Sequence, residues 1–409
     1  MLEGVTVLDL SRILAGPYAT QLLADLGATV IKVESPRGDD TRGWGPPFVG
    51  DQSGYFLSVN RGKRSLAVDL KHPRGADLVQ RLAAQADVLV ENFKVGDLQR
   101  YGLAPAQLAE VNPRLIYATI TGYGGHGPRS GQPGYDAALQ AVTGLMAMTG
   151  EPDGPPVKLG VAWIDVLTGL HAAVAILAAL HERERTGAGK RLELSLFETG
   201  LASMVNQAQG ALLTGDAPRR LGSAHPSIVP YQVFDAADAP LMLAVGNDAQ
   251  FARACVVLGL PEVAEDPRFA ENAARVEHRS ELVPLLQERL STADRDTWIA
   301  RLNDAGVSAT PVHDLPDALR DPQAQALGTV ASYLHPTAGD VPFVRSPLRH
   351  HGSLVDGHGP KKDARDEAAP PPRLGEDTAE VLRTYLGLEV PEIDALVREG
   401  AIHSGRGSG

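Results

Sequence analysis

Short apolar runs alternate with segments of helical period along the first 120 residues. The pattern predicts strands at 4–10 and 29–34 with a helix at 15–26 between them, which is a βαβ unit containing a parallel pair. The order repeats with a strand at 66–70, a helix at 73–85, a strand at 87–91 and a further buried strand at 115–120. Such alternation is typical of a parallel sheet with helices on both faces. It predicts a doubly wound, Rossmann-like α/β domain whose ligands lie beyond the carboxyl ends of the strands.

The remaining pattern predicts a second, smaller domain and a segment that returns to the first. Residues 214–230 are rich in Gly, Ser, Pro and Arg, which is typical of a linker. Before it we expect helices at 136–148 and 166–184 and a half-buried strand at 191–196. After it we expect strands at 231–234, 241–245 and 307–312 and helices at 249–258, 279–291 and 294–305.

These elements divide the chain into four parts. We expect a large α/β domain (1–213), a linker (214–230), a small α+β domain (231–325) and a return segment (326–409). The Pro-rich stretch 357–372 within the return segment is typical of an extended arm, which would lie over the first domain or over a partner. A C-terminal helix at 378–386 would then rejoin the large domain.

Composition and charge narrow the possible functions. The formal net charge of -12 disfavours general binding of nucleic acids. The single cysteine, Cys255, excludes an internal disulfide and a cysteine-based metal cluster, and the 12 histidines show no metal-ligand spacing. No basic signal peptide opens the chain, and no apolar run reaches the ~20 residues that span a bilayer. We therefore expect a cytoplasmic protein with no metal, no membrane contact and no nucleic-acid partner.

Asp165 is the leading candidate for chemistry. It stands in Gly-Val-Ala-Trp-Ile-Asp165, where a Gly-rich loop runs into an apolar helix. A charged group there needs a partner or a function, because burying an unpaired charge is costly. The alternative is a helix N-cap, since Asp is a preferred capping residue and residues 166–180 read as helix.

Two further features indicate an anionic ligand. Residues 11–20 form a strand-to-helix turn, which suits a phosphate or is a plain turn with Pro17 near the first helical position. The turn lacks GxGxxG spacing, so we expect no nicotinamide cofactor. Basic side chains recur at predicted strand ends and loops, namely Arg37, Arg42, Arg61, Lys63, Arg64, Lys71 and Arg100. Each alone would be solvated, but strand ends converge in a doubly wound fold, so together they predict a crevice for several phosphates.

Motifs along the chain resemble the class III CoA-transferases. They are Gly-Val-Thr-Val-Leu-Asp-Leu with Ala-Gly-Pro near the N-terminus, the block from Asn60-Arg-Gly-Lys to Val-Asp-Leu-Lys71, Asp87-Val-Leu-Val-Glu-Asn-Phe93, Gly122-Tyr-Gly, Pro133-Gly-Tyr-Asp136, Asp165 with Thr168-Gly169, and a late Pro-Arg-Leu-Gly-Glu-Asp tract. The resemblance covers nearly the whole chain in order. It implies that coenzyme A, as acyl-CoA, is a substrate, and that the protein is an interlocked homodimer.

The resemblance also implies a mechanism and its residues. An aspartate at the position of Asp165 attacks the acyl-CoA thioester, and the mixed anhydride is reopened by CoA thiolate to an aspartyl-CoA thioester. By position, the implied CoA contacts are Leu14, Ala15, Arg37, Val68, Lys71, Asn92, Phe93, Arg100, Tyr135 and Asp136. Phe93 follows a predicted strand end, where its ring would stack on the adenine or pack at the rim.

Two departures from the family pattern bear on the substrate. Where formyl and oxalyl transferases carry a run of glycines, this chain has Arg220-Leu-Gly-Ser-Ala-His-Pro-Ser227. Gly222, Ser223 and His225, with Arg219 and Arg220 nearby, would then hold the distal carboxylate of an acceptor larger than oxalate, or form an ordinary hinge. The related 2-methylacyl-CoA racemases place a His base where this chain has Tyr135, and only His126 stands near enough in sequence to replace it.

The leading hypothesis is therefore a CoA-transferase that moves CoA from an acyl-CoA, with succinyl-CoA as the expected donor, to a small carboxylate such as a dicarboxylate. The alternatives are a 2-methylacyl-CoA racemase that uses Asp165 with a substitute base, and a CoA-binding protein without catalytic activity.

Overall fold

The computed structural model describes residues 1–348 and 369–405, which form two compact units. The large unit comprises Met1–Leu145, Leu159–Leu213 and the described residues of Gly328–Gly409, and the small unit comprises Met146–Lys158 and Thr214–Leu327. The predicted four-part division of the chain stays a prediction. Residues 357–368 of the predicted arm and the last four residues of the return segment lie outside the described residues.

The strands and helices are numbered in chain order. The strands are β1 (Thr6–Asp9), β2 (Thr29–Glu34), β3 (Phe48–Val49), β4 (Gln52–Ser53), β5 (Lys63–Val68), β6 (Val88–Glu91), β7 (Ile116–Thr121), β8 (Lys190–Ser195), β9 (Tyr231–Asp235), β10 (Pro240–Ala244), β11 (Ser308–Pro311), β12 (Val330–His335), β13 (Gly339–Val344) and β14 (Ile402–His403). The helices are α1 (Ala15–Asp25), α2 (Gly54–Val59), α3 (Pro73–Ala83), α4 (Pro105–Val111), α5 (Asp136–Val142), α6 (Leu145–Met148), α7 (Trp163–Thr186), α8 (Leu196–Ala202), α9 (Val205–Thr214), α10 (Asp248–Leu258), α11 (Pro261–Glu265), α12 (Asn272–Glu277), α13 (Arg279–Leu290), α14 (Arg295–Asp304), α15 (Leu315–Arg320), α16 (Pro322–Ala326), α17 (Thr378–Leu386) and α18 (Val390–Arg398).

The large unit is built on a seven-stranded sheet in the order β14-β5-β2-β1-β6-β7-β8. All neighbours in it pair in parallel except β14, which runs antiparallel to β5. From β1 the chain winds outward through β2 to β5, and from β6 it winds the other way through β7 to β8. The prediction of an α/β fold with a mostly parallel sheet is confirmed. The direction of winding reverses between β1 and β6, so their carboxyl ends form the crevice in which such folds bind ligands.

Alternate strand residues supply the two cores of the large unit. Leu8 and Ile31 face a core that includes Val381 and Leu396 of the C-terminal helices, whereas Val7 and Val30 face the core beneath α1 and α7. Both faces of a parallel sheet are covered in this way, which explains the continuous apolar runs in the sequence. The C-terminal segment thus rejoins the large unit through α17, α18 and β14.

The long helix α7 bears on the expectation that no apolar run is long enough to span a bilayer. Among the described residues it is the one helix long and apolar enough to cross a membrane, by length and composition only, and 44% of its most apolar window is buried inside the protein. One such helix is weak evidence of a membrane span, because core helices pass the same test. Here α7 packs against α1, and a Cβ on Gly169 would lie 2.6 Å from the Ala15 carbonyl oxygen.

The small unit contains a three-stranded antiparallel sheet in the order β11-β10-β9. Its strands lie near the predicted positions. Its core includes Phe234, Leu241, Phe251 and Trp298. Cys255 is buried in the same core, and burial raises the pKa of its thiol to about 12, so it is not a reactive thiolate.

Candidate active site

A cleft of about 240 Å³ opens at the carboxyl ends of β1, β6 and β7 in the large unit. Six of the predicted site residues line it together: Leu14, Ala15, Asn92, Phe93, Tyr135 and Asp165. They come from the loop after β1 and the start of α1, from the loop after β6, from the N-cap of α5 and from the first turn of α7. The cleft therefore lies at the reversal of winding, where the sequence predicted the ligand.

Asn92 joins the two loops that meet at this reversal. Its side-chain oxygen accepts a hydrogen bond from the Arg12 backbone N–H at 2.9 Å, and its amide nitrogen donates to the Arg12 carbonyl at 2.8 Å. The Arg12 guanidinium lies over the Phe93 ring, 5.7 Å from its centroid. Arg12 and Lys94 also line the cleft but were not predicted as site residues. Arg12 was detectable in principle, because it follows Ser11 in the loop after β1.

The loop after β1 holds a strained residue. Ile13 has a φ of 72°, in the left-handed region that β-branched residues rarely adopt. The buried Asp39 carboxylate accepts a hydrogen bond from the Ile13 N–H at 3.3 Å. Backbone strain of this kind clusters at ligand sites, where the surrounding structure maintains it.

A second cleft, of about 280 Å³, adjoins the first. It is lined by the predicted Val68, Lys71 and Arg100, and it shares Arg12 and Phe93 with the first cleft. Two cations thus lie along a path that leads past Phe93 towards Asp165. A ligand with an anionic end and a distant reactive group would fit this arrangement. Arg37 lines neither cleft, although its neighbours Ser35 and Gly38 line the second one.

The other predicted cations do not meet in the crevice, which corrects the sequence interpretation. The Lys63 ammonium is buried and lies 2.9 Å from Asp9, and Arg42 lies 2.8 Å from Glu34. Arg61 pairs with Asp25 at 2.6 Å and Arg64 with Glu380 at 3.1 Å. Their charges are used within the fold, because each long side chain turns towards an acid. For three of the four the acid is at least 36 residues away in the sequence, whereas Glu34 lies eight residues before Arg42.

Asp165 lies inside α7 and does not cap it. The N-cap is Ala162, which supplies no side-chain hydrogen bond. The cap is instead provided by Asp136 at the start of α5, whose Oδ1 accepts from the backbone N–H groups of Ile164 at 2.8 Å and Asp165 at 3.2 Å. The interpretation of Asp165 as a helix cap is therefore wrong. Asp136 is buried behind this turn and is not among the residues that line the cleft.

The Asp165 carboxyl group has a raised pKa. Burial, followed by the negative charge of Asp136, raises the pKa of Asp165 to about 7. Within the described residues no hydrogen-bond donor contacts its carboxylate. Tyr55 lies in the same electrostatic environment, since burial and then the charges of Asp165 and Asp136 raise its pKa to about 12. An acid with free lone pairs in a cleft is suited to act as a nucleophile.

Two glycines bring the walls of the cleft together. A Cβ on Gly122 would lie 2.5 Å from the Cα of Gly134, so the loop after β7 touches the segment that leads into α5. Both residues line the cleft beside Tyr135. Larger residues would separate these segments and move Tyr135 relative to Asp165.

The predicted acceptor residues lie in the small unit. The Ser223 hydroxyl oxygen accepts a hydrogen bond from the Val233 N–H at 3.0 Å, and the His225 Nδ1 accepts from the Ser227 N–H at 3.0 Å. Gly222 donates its N–H to the Gly150 carbonyl. These bonds hold the loop within its own unit, and contact of the three residues with a substrate stays a prediction.

No group of three His, Cys, Asp or Glu side chains that could hold a metal ion is found among residues 1–348 and 369–405. In that same part of the chain, the residues that line the Asp165 cleft include no histidine, and His126 lies outside them. The substitute base that a racemase would require is thus missing from the described lining of the cleft.

Comparison with known proteins identifies the family. Residues 2–378 match the family described as CoA-transferase family III. The chain is 43% identical over 402 residues to succinyl-CoA:glutarate CoA-transferase of Mus musculus, covering 98% of this chain and 90% of the relative. It is 44% identical over 389 residues to succinate–glutarate CoA-transferase of Agrobacterium fabrum, covering 93% and 94%. The crystal structure of a CAIB/BAIF family protein from Brucella suis is similar, with 43% identity, a TM-score of 0.80, and coverage of 94% of this chain and 99% of that one.

The relatives named here are transferases, so the racemase alternative is not favoured. The predicted resemblance is confirmed across almost the entire length of both curated relatives. The chain belongs to CoA-transferase family III, and it is an enzyme of the class III CoA-transferase type.

Proposed function

We propose that this enzyme transfers CoA from succinyl-CoA to a dicarboxylate, with glutarate as the first candidate, through a covalent intermediate on Asp165. The observation that carries the proposal is the Asp165 carboxylate in the large-unit cleft, without a hydrogen-bond donor among the described residues. The names of the mouse and Agrobacterium relatives support the choice of acids.

The proposed reaction begins when a carboxylate oxygen of Asp165 attacks the thioester carbon of succinyl-CoA. The C–S bond breaks, CoA thiolate departs, and an aspartyl-succinyl anhydride is formed. The thiolate then attacks the Asp165 carbonyl carbon, succinate departs, and an aspartyl-CoA thioester remains. Glutarate then reverses these two steps. Its carboxylate displaces CoA thiolate from the aspartyl-CoA thioester, and the thiolate attacks the glutaryl carbon of the new anhydride, which releases glutaryl-CoA and restores the Asp165 carboxylate. No net proton, oxidant or metal is required, and each step nearly conserves the thioester energy.

The two clefts suggest how CoA would lie. Lys71 and Arg100 in the second cleft would face the phosphates, and the Phe93 ring beneath Arg12 would form the wall between nucleotide and pantetheine. Leu14, Ala15 and Tyr135 would then border the thioester next to Asp165. Water must be kept from the anhydride, and the apolar side chains at this end serve that purpose.

Transfer assays test the proposal directly. Purified enzyme is incubated with succinyl-CoA and, in parallel, with glutarate, other dicarboxylates and acetate, and the acyl-CoA products are separated by chromatography. We expect glutaryl-CoA and free succinate in equal amounts. Formation of no new acyl-CoA with any acid would contradict the transferase proposal, and deuterium uptake at the α-carbon without transfer would instead support the racemase.

The predicted homodimer, the cytoplasmic location and the independence from metal belong to the same proposal. Exposed apolar side chains on α9, including Leu212 and Leu213 at 80% and 77% exposure, support a partner surface. Light scattering should give twice the chain mass, and activity should survive dialysis against a chelator. A monomeric mass, or loss of activity that zinc or magnesium restores, would contradict these parts.

A further inference from the structure

The N-terminus of α7 is closed by an acid from another helix. Oδ1 of Asp136 accepts hydrogen bonds from two N–H groups of the first turn, those of Ile164 and Asp165. Oδ2 accepts from the Gln140 side-chain amide at 2.6 Å. Gln140 is itself fully buried and accepts from the Leu159 N–H at 2.9 Å, which fixes its orientation. The Asp136 carboxylate is therefore held in one position by three hydrogen bonds.

The Asp165 carboxylate, in the first turn of α7, differs from that of Asp136. The backbone N–H of Asp165 is held by Asp136, but its carboxylate contacts no donor in the described part of the chain. The positive end of a helix dipole normally favours an ionised acid in the first turn. Here the Asp136 charge occupies that end of α7, so the dipole stabilises Asp136 and gives little to Asp165.

We propose that Asp136 is a positioning residue, which fixes the backbone of Asp165 and places a second negative charge at the same helix end as the nucleophile. This proposal rests on the proposed function and deepens it. A more basic carboxylate is a stronger nucleophile towards a thioester. Asp136 thus acts through Asp165 and not by touching CoA.

The other charged and titratable groups lie at the cleft or on helices that pack near the start of α7, and they leave Asp136 as the fixed anion at the helix end. Tyr55 of α2 and Tyr18 of α1 have raised pKa values because of burial, so both stay neutral near pH 7. Glu198 of α8 accepts from the Ser195 hydroxyl. At the mouth of the cleft, Arg12 and Asp40 lie 3.4 Å apart as a pair, and Lys94 also lines the cleft. Burial and the Asp136 charge together account for the pKa of about 7 at Asp165.

The test compares Asp136→Asn with Asp136→Glu and with the surface control Asp77→Asn. Asn keeps an oxygen that can accept the two N–H groups but removes the charge, whereas Glu keeps the charge. The pKa of Asp165 is read by ¹³C-NMR titration of its carboxyl carbon without CoA, with the signal assigned by its loss in Asp165→Asn. The pH profile of kcat/KM for succinyl-CoA is measured in parallel.

We expect Asp136→Asn to lower the Asp165 midpoint and the acidic limb of the profile by about one pH unit or more, and to lower kcat by about 3- to 10-fold. Asp136→Glu and Asp77→Asn should leave the midpoint near the wild-type value. An unchanged midpoint in Asp136→Asn, or an equal shift in Asp136→Glu, would overturn the proposal.

The wild-type NMR titration covers two further outcomes, a variant that does not fold and a wild type that forms no CoA adduct. If Asp136→Asn does not fold, the wild-type titration decides, because a midpoint near 4 would show that no second charge acts on Asp165. If the wild type forms no CoA adduct, the proposed function fails, but the NMR midpoint still measures the effect of Asp136 on Asp165.

Discussion

The buried Asp9 and the partly buried Asp165, both in the large unit, show what a carboxylate does with and without a neighbouring cation. Asp9, at the end of β1, accepts from the Lys63 ammonium at 2.9 Å and from the Thr20 hydroxyl at 2.6 Å. Despite the burial, Lys63 and Lys32 lower the pKa of Asp9. Asp165 has no such cation, and its pKa is raised to about 7.

The difference separates a structural acid from a reactive one. The Asp9 group continues through Lys32, whose ammonium donates to the Ser11 carbonyl at 3.0 Å and to Asp39 at 2.9 Å. Asp39 then holds the strained Ile13 at the cleft. The paired acids build the loop that borders the site, and the unpaired acid is left for chemistry.

Removal of the unpaired acid should have the largest effect. Asp165→Asn should lower the rate of CoA transfer on the order of 10⁴-fold, about 5.5 kcal/mol in activation free energy, because no nucleophile remains. Binding of CoA, measured by calorimetry, should be retained. Transfer within tenfold of the wild-type rate would show that Asp165 is not the reactive acid.

Removal of a cation from the paired group should instead damage the fold. Lys63→Met leaves Asp9 buried with only Lys32 nearby and should cost about 3 kcal/mol of unfolding free energy in urea titrations. The double variant Asp9→Leu with Lys63→Met should recover part of this loss. A loss below about 1 kcal/mol would mean that the pair contributes little, as at an exposed site.

The pH dependence of stability should distinguish the two acids further. The folded protein retains a proton on Asp165 up to about pH 7, whereas the unfolded chain releases it near pH 4. Stability from this group therefore falls as pH rises from about 4 to 7, and the full penalty remains above 7. Asp165→Asn removes the penalty and should gain about 2 kcal/mol at pH 8 but almost nothing at pH 4, after allowance for the cleft's solvent.

This gain is read from urea unfolding of both proteins at the two pH values. An equal difference between wild type and variant at pH 4 and pH 8 would contradict the raised pKa. For Asp9, whose pKa is lowered, the sign is opposite, since its contribution is lost as pH falls through its folded pKa.

The smallest effect is expected where a lysine lies on the surface of a cleft. Lys71→Met should raise KM for succinyl-CoA about 3- to 10-fold with kcat unchanged, since an exposed charge contact contributes roughly 1 kcal/mol. The matched control is Arg37→Ala, which should leave KM unchanged because Arg37 lines neither cleft. If the control raises KM as much as Lys71→Met, the CoA path must extend past residue 37.

The sequence predicted the elements of the large unit well, because each strand, helix and turn follows from residues that are adjacent in the chain. Val7 and Leu8 are adjacent apolar residues of β1, which indicates a strand with both faces buried. The turn after β1 indicates a ligand-binding loop from its own sequence. The family motifs then placed Leu14, Asn92, Phe93 and Tyr135 on one cleft with Asp165.

The sequence did not predict contacts between side chains and partners that are far apart in the chain. Lys63 was expected in the crevice, and nothing near it in sequence shows that it turns inward to Asp9, 54 residues away. Asp165 was a plausible cap because Asp136, the actual cap, lies 29 residues before it. Charge and residue type indicate what a side chain can bind, but only the fold determines which partner it meets.

The central claim is that Asp165 carries CoA during the reaction. Enzyme incubated with succinyl-CoA should be quenched in acid, digested and examined by mass spectrometry, with Asp165→Asn treated in the same way. We predict a CoA adduct on the wild-type peptide that contains Asp165, lost on addition of glutarate and missing from the variant. A wild-type peptide without an adduct while transfer proceeds, or an adduct on another residue, would contradict the account.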